Sequence, residues 1–175
     1  MGLLKPSKGQ VIVDWAVIAG QNRFAWQASF SHVPQDVFLA DTSLAENIAF
    51  GVKYSEIDWQ LVEESANRAQ LSSLINESAA GLESIVGERG VRLSGGQRQR
   101  IGIARALYRQ RGVLVLDEAT SALDGETEAR VHEGLKEDGN AMTVVLIAHR
   151  AESLRICDRR VVLEDGFLEE LEQVV

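Results

Sequence analysis

Two stretches of this chain carry residue types that could handle a phosphate. Leu93-Ser94-Gly95-Gly96-Gln97 stands directly before a run, Gln97 to Arg109, of helical composition. Paired glycines let a ligand or another chain come close to the backbone. The first turn of a helix offers free amides and the positive end of its dipole to an anion. Taken alone, Ser94 reads more simply as an N-cap. The second stretch, Val113-Leu114-Val115-Leu116-Asp117-Glu118, is a continuous apolar run that ends in two carboxylates. Such a run suits a strand buried on both faces in a parallel sheet. Ligands of open α/β sheets gather beyond the carboxyl ends of such strands, where Asp117 and Glu118 fall. One carboxylate there can hold a divalent cation while the next orients a water; the plainer reading makes one of them a helix cap. The two stretches together, joined by one helix, are far rarer than either alone.

The elements that must position them follow from pattern. Gln10 to Asp14 reads as a short strand, Ala16 to Ala28 as a loop with a short helical piece, and Phe30 to Val33 as a strand stopped by Pro34. Asp41-Thr42-Ser43 with Glu46 offers an N-cap and a capping-box carboxylate to a helix through Phe50. Asp58 can cap a second helix on which Leu61, Val62, Ala66, Ala69 and Leu71 recur at helical spacing, and residues 71–75 extend it into a third. The helix from Gln97 carries Ile101, Ala104 and Leu107 inward, with Arg98, Arg100, Arg105 and Arg109 read as a solvated face, and Gly112 as its stop. Gly125 to Glu137 is amphipathic, with Ala129, Val131 and Leu135 as buried positions. Thr143 to Ala148 is an apolar strand with His149 at its carboxyl end, and Arg160 to Glu164 is a further strand before the Asp165-Gly166 turn. His32 and His132 read as structural.

A length of 175 residues with 45% apolar content allows one domain or two small lobes sharing a core. The net charge of −8 argues against a nucleic-acid surface. A lone cysteine, Cys157, permits no internal disulfide and fits a reducing compartment. No apolar run reaches the ~18–20 residues of a membrane helix, so work at a membrane would need another segment or subunit to span it.

The motifs now fall into one order. Val33-Pro34-Gln35, LSGGQRQR at residues 93–100, VLVLDE at 113–118, Ser121-Ala122-Leu123-Asp124 and Ala148-His149-Arg150 together resemble the nucleotide-binding domain of ATP-binding cassette (ABC) transporters, across nearly the whole chain. The resemblance implies an α/β fold: a P-loop-NTPase-like, mostly parallel sheet with flanking helices and an inserted helical subdomain. It divides the chain into a sheet lobe (1–36 and 111–175) and a helical subdomain (37–110). It implies ATP and Mg²⁺ as ligands, with Asp117 and Gln35 on the metal, Glu118 polarising the attacking water and His149 at the γ-phosphate. Leu93, Ser94, Gly95, Gly96 and Gln97 form the signature loop, which acts in trans on the ATP of a second such domain, and Ser121 and Asp124 belong to the D-loop between the two sites. Gly87, Glu88, Arg89 and Gly90 match the segment that meets the transmembrane partner in exporters. The domain is expected on the cytoplasmic face of the membrane, held there by that partner.

The family's P-loop, G-x-x-x-x-G-K-[ST], occurs nowhere among these residues, and by family order it would lie before Met1. The chain therefore resembles a domain without its first part. A P-loop supplies about three to five charge-assisted hydrogen bonds at ~1.5–3 kcal/mol each. Losing them weakens ATP binding by about four to seven powers of ten. A different reading is a non-catalytic module that lends its signature loop to a partner with an intact P-loop. DNA-repair ATPases share two of these loops, but they carry coiled-coil or zinc insertions, and this chain has neither heptads nor a cysteine cluster.

Overall fold

The computed structural model describes residues 2–20, 22–136 and 142–171. Its centre is a three-stranded parallel sheet of β3 (Phe30–Val33), β4 (Val113–Asp117) and β5 (Thr143–Ile147), in that spatial order. Register runs Phe30 opposite Val113 and Val33 opposite Leu116, then Val113 opposite Thr143 and Asp117 opposite Ile147. All three strands therefore end at one edge of the molecule, with Gln35, Glu118 and His149 just beyond. Two antiparallel hairpins flank the sheet in sequence: β1 (Ile12–Val13) with β2 (Ala16–Val17), and β6 (Arg160–Glu164) with β7 (Phe167–Leu171). Helix α1 (Asn22–Ala28) leads into β3.

Between β3 and β4 the chain builds a helical subdomain of α2 (Leu44–Ile48), α3 (Trp59–Arg68), α4 (Ser72–Glu77) and α5 (Gly95–Tyr108). Local chemistry explains the helix starts. Ser43 caps α2 in a full capping box with Glu46, and the Asp58 carboxylate accepts from the amide of Leu61 at the head of α3. Helix α5 joins subdomain to sheet. It packs on α2, α3 and β3, and Ile101, Ile103 and Ala104 are fully buried. A side chain at Gly102 would bring its Cβ to 2.7 Å from a methyl of Val37, so this glycine sets how closely α5 lies on the chain beyond β3. The Ser31 hydroxyl adds a buried bond to the carbonyl of Ala106, 3.0 Å. Helix α6 (Gly125–Lys136) follows β4 and meets α3, where Gly134 sits against the backbone of Arg68.

Several expectations are corrected. The Gln10–Asp14 strand is shorter and folds back on β2 through a turn in which Asp14 (φ 46°) and Trp15 (φ 66°) both take the left-handed conformation without a glycine. Helix α5 ends at Tyr108, and Gln110 (φ 46°) rather than Gly112 takes the left-handed turn. Of the four arginines expected as a solvated face only Arg109 is exposed; Arg98, Arg100 and Arg105 are half-buried. Arg105 donates to the carbonyls of Phe38 and Asn47 and lies over the ring of Phe50; Arg98, Arg100 and Arg109 donate to the carbonyls of Leu93, Gln70 and Phe50. Burial pushes the Arg105 guanidinium down to about 10, with Arg109 adding to the shift. On α6, Ala129 is exposed, and the buried stripe is Glu128, Val131, His132 and Leu135. The expected last residue of that helix, Glu137, lies outside the described residues.

Candidate functional site

The site begins with a bent backbone. At the end of β4 the amide of Glu118 still pairs with the carbonyl of Ile147 on β5, 3.0 Å. The chain then turns sharply, and Glu118 takes φ 50°. For a residue with a Cβ this conformation is costly and persists only where surroundings hold it. Its carboxylate is thereby aimed across the strand ends. The side-chain amide of Gln35, from the loop after β3, donates to Glu118 Oε2 at 2.8 Å. His149 Nε2, from the end of β5, lies 2.9 Å from Oε1. Groups beyond β3 and β5 thus meet a single carboxylate from the end of β4. The imidazole of His149 is open to solvent, while the carboxylate of Glu118 is three-quarters covered. Asp117, the last residue of β4, is half-exposed, with His32 Nε2 4.0 Å from its carboxylate.

The signature stretch approaches from the subdomain. Ser94 is the exposed N-cap of α5 in a reciprocal capping box: its hydroxyl accepts from the Gln97 amide at 3.1 Å, and its own amide donates to Gln97 Oε1 at 2.7 Å. Gly95 and Gly96 lie against Ser121-Ala122-Leu123. A Cβ at Gly96 would stand 3.0 Å from the Ala122 carbonyl oxygen and 3.1 Å from a methyl of Leu123, so the second glycine is required by close packing. Asp124 caps α6, its carboxylate accepting from the amide and hydroxyl of Thr127; those bonds lower its pKa.

Two polar residues that sequence reasoning passed over hold this region together. Gln99 is buried and bonds to Glu118, Ser121 and Ala122. Glu128, also buried, accepts from the Thr120 hydroxyl at 2.7 Å and from Arg150 at 3.0 Å, while Arg150 also reaches the carbonyls of Thr120 and Leu123. Each stood out in sequence as a polar residue on an apolar stripe: Gln99 with Gly102, Ile103 and Ala106, and Glu128 with Val131, His132 and Leu135.

The remaining candidate residues lie in the turn that precedes the signature stretch. Glu88–Gly90 forms a single 3-10 turn, with Gly87 (φ 79°), Arg89 (φ 53°) and Gly90 (φ 66°) all left-handed. Gly90 is buried against Leu39, whereas Glu88 and Arg89 are exposed.

The donor chemistry suits a polyphosphate accompanied by a hard cation. Two adjacent, partly exposed carboxylates would repel a triphosphate unless a cation lay between them, and carboxylate and amide oxygens are the ligands Mg²⁺ prefers. Among the described residues no three His, Cys, Asp or Glu side chains cluster as a closed metal cage.

A parallel sheet with these groups at its carboxyl end, and a helical subdomain inserted between two of its strands, is the architecture of the P-loop-NTPase-like class. Within that class the sequence is specific. The profile of the ABC transporter family matches residues 1–121, and the chain belongs to that family. It is 42% identical over 166 residues to an uncharacterized ABC transporter ATP-binding protein of Bacillus subtilis, covering 94% of this chain and 28% of that protein. Against an ATP-dependent lipid A-core flippase of Alkalilimnicola ehrlichii the identity is 42%, covering 92% and 27%. Against a β-(1→2)glucan export ATP-binding/permease protein of Rhizobium meliloti it is 40%, covering 95% and 28%. Among solved structures, a bacterial Atm1-family ABC exporter with ATP bound superposes with a TM-score of 0.85 at 34% identity, over 95% of this chain and 29% of that one. The chain corresponds to the exporter-type nucleotide-binding domain and spans just over a quarter of the length of these relatives. No helix among the described residues is long and apolar enough to cross a membrane.

Proposed function

We propose that this chain is the ATP-binding and ATP-hydrolysing domain of an ABC exporter and couples hydrolysis to transport through a transmembrane partner. The observation that carries the reading is the Glu118 carboxylate held between Gln35 and His149 at the ends of three parallel strands. A carboxylate so oriented can take a proton from a water while the imidazole donates to a phosphate oxygen, a pairing of base and donor suited to phosphoryl transfer. Asp117 and Gln35 would hold Mg²⁺, which when bound neutralises charge on the phosphates. Ser94 to Gln97 would face the ATP of a second nucleotide-binding domain, with Ser121 and Asp124 at the seam between the two. Residues 87–90 would meet the transmembrane partner on the cytoplasmic face of the membrane. In this scheme residues 1–36 and 111–175 act as one lobe and 37–110 as the other.

The 175 residues contain no P-loop motif, so the chain by itself should bind Mg-ATP no better than about millimolar. Micromolar binding to the chain alone would contradict this. Fused behind the P-loop-bearing segment of a relative, it should hydrolyse ATP, and Glu118→Gln in that fusion should retain ATP while turnover drops at least ~100-fold. Unimpaired hydrolysis by the variant would remove Glu118 from the role of base, and an inactive parent fusion would sink the ATPase reading.

One observation favours a second possibility, a module that lends its signature loop to a partner's ATP. The loop around Ser94 is shaped by its own capping box, and Ser94 is exposed at the head of α5. Stimulation of a P-loop-bearing partner's ATPase by the unfused chain, lost in Ser94→Ala, would select this reading.

A further inference from the structure

The loop from Glu118 to Asp124 carries the acidic end of β4 and the D-loop, and one side chain from the signature helix reaches into it. Gln99 is 6% exposed. Its Nε2 donates to the carbonyl of Glu118 at 3.2 Å and to the Ser121 hydroxyl at 3.0 Å, and its Oε1 accepts from the Ala122 amide at 2.9 Å. Only this orientation of the side-chain amide works, since the flipped one would set an NH₂ against the Ala122 N–H and an oxygen against the Glu118 carbonyl. Every hydrogen-bonding position that matters is used, in a buried place where a missing partner is expensive.

The bonds fall on the strained residue. Glu118 sits at φ 50°, and its backbone is held on one side by Ile147 and on the other by Gln99 and the Ser121 amide. Gln99 also lies little more than one helical turn from Ser94, the N-cap of the same helix. The signature end of α5 and the backbone of Glu118 are thereby one rigid unit, and the close approach of Gly96 to Ala122 makes a second point of contact.

We propose that Gln99 is a positioning residue: it fixes the left-handed turn at Glu118 and the D-loop to the signature helix, so that the base at one ATP and the signature loop offered to the other move together. The proposal rests on the ATPase reading above. A buried glutamine that merely satisfied local polar groups would contribute stability and nothing to the direction of the carboxylate.

Two measurements separate these. The first needs no nucleotide: amide hydrogen exchange of the 175-residue chain, comparing the parent with Gln99→Leu and Gln99→Glu. In Gln99→Leu the Ala122 amide should exchange about tenfold or more faster while Ile103 and Leu107 in the same helix keep their rates. In Gln99→Glu a carboxylate oxygen can still accept from Ala122 but nothing donates to Glu118, so Ala122 should stay protected. The second uses the fusion carrying a P-loop. There both variants should lose about tenfold or more in kcat with KM for ATP changed less than about threefold, because the base is misaimed while the cradle is intact. Unchanged Ala122 exchange in Gln99→Leu overturns the proposal. So does a kcat within about twofold of the parent fusion in Gln99→Glu. A parent fusion with no ATPase activity defeats the ATPase reading instead, and the exchange comparison then decides the anchoring by Gln99 alone.

Discussion

The helical subdomain and the far side of the sheet are both rich in apolar residues, yet they are covered very differently. In the subdomain, Leu44, Ile48, Val62, Leu71, Ile101 and Ile103 are at most 2% exposed. On β5 and the last hairpin, Val145 and Ile147 are nearly half exposed, and Leu163 and Phe167 stand 73% and 80% open. The core around α2, α3 and α5 continues into β3, β4 and α6, so its apolar side chains are covered from every side. Strand β5 is an edge of a parallel sheet, and parallel sheets in α/β proteins are normally covered on both faces. Apolar patterning therefore reports that a surface is meant to be covered, and it is silent on whether the same 175 residues supply the cover.

Mutations test that contrast directly. The largest effect belongs to the covered core: Ile101→Ala should destabilise the chain by about 2–5 kcal/mol in urea unfolding, since Ile101 is fully buried on α5, which packs on α2, α3 and β3. A loss under about 1 kcal/mol would mean the subdomain core is less well packed than its burial indicates.

A smaller effect should come from His132 on α6, whose imidazole is buried with Nε2 unpartnered. Burial lowers its pKa from the ordinary 6.5, partly offset by Glu128 and reinforced by Lys136. The native state thus resists protonation while the unfolded chain accepts it. Stability from this residue is complete above about pH 6.5 and falls as pH drops below it, levelling once the native imidazole also protonates. The lowered carboxylates, Glu46 and Asp124, act in the same direction at lower pH: they stabilise above their unfolded values of 4.5 and 3.8 and lose that only in stronger acid. The urea midpoint should therefore fall between about pH 8 and about pH 5, and His132→Leu should flatten the fall. The smallest effect is expected on the open strand, where Val145→Thr should change stability by less than about 0.5 kcal/mol. A large loss there would show that β5 is covered in solution, and would erase the contrast.

Much of this was readable from residues alone. The strands at Phe30, Val113 and Thr143, the caps at Ser43, Asp58 and Ser94, and the glycine pair before α5 are local signals with local causes. The convergence of Gln35, Glu118 and His149 came from motif order, since nothing in composition says that three strands end together. Geometry without a local marker was illegible. The Asp14-Trp15 turn uses left-handed residues where glycine was to be expected, and Gln110 does the same at the end of α5. The arginines of α5 read as solvent-facing because charge spacing cannot show which carbonyls a neighbouring helix leaves unpaired. Gln99 and Glu128 were within reach, because a polar side chain on a buried stripe must have a partner somewhere.

Strand β3 finds its neighbour β4 only after the whole helical subdomain has passed between them. Were those intervening residues a loose loop, closing it would delay the sheet, as distant pairings do. The buried residues of the subdomain and the sheet instead form one cluster, Ile101 and Ile103 of α5 with Val33, Leu114 and Leu116, so packing of α5 on β3 and pairing of β3 with β4 build the same core. The insertion is thus docked onto the strands by shared packing, and not merely tethered to them at its two ends.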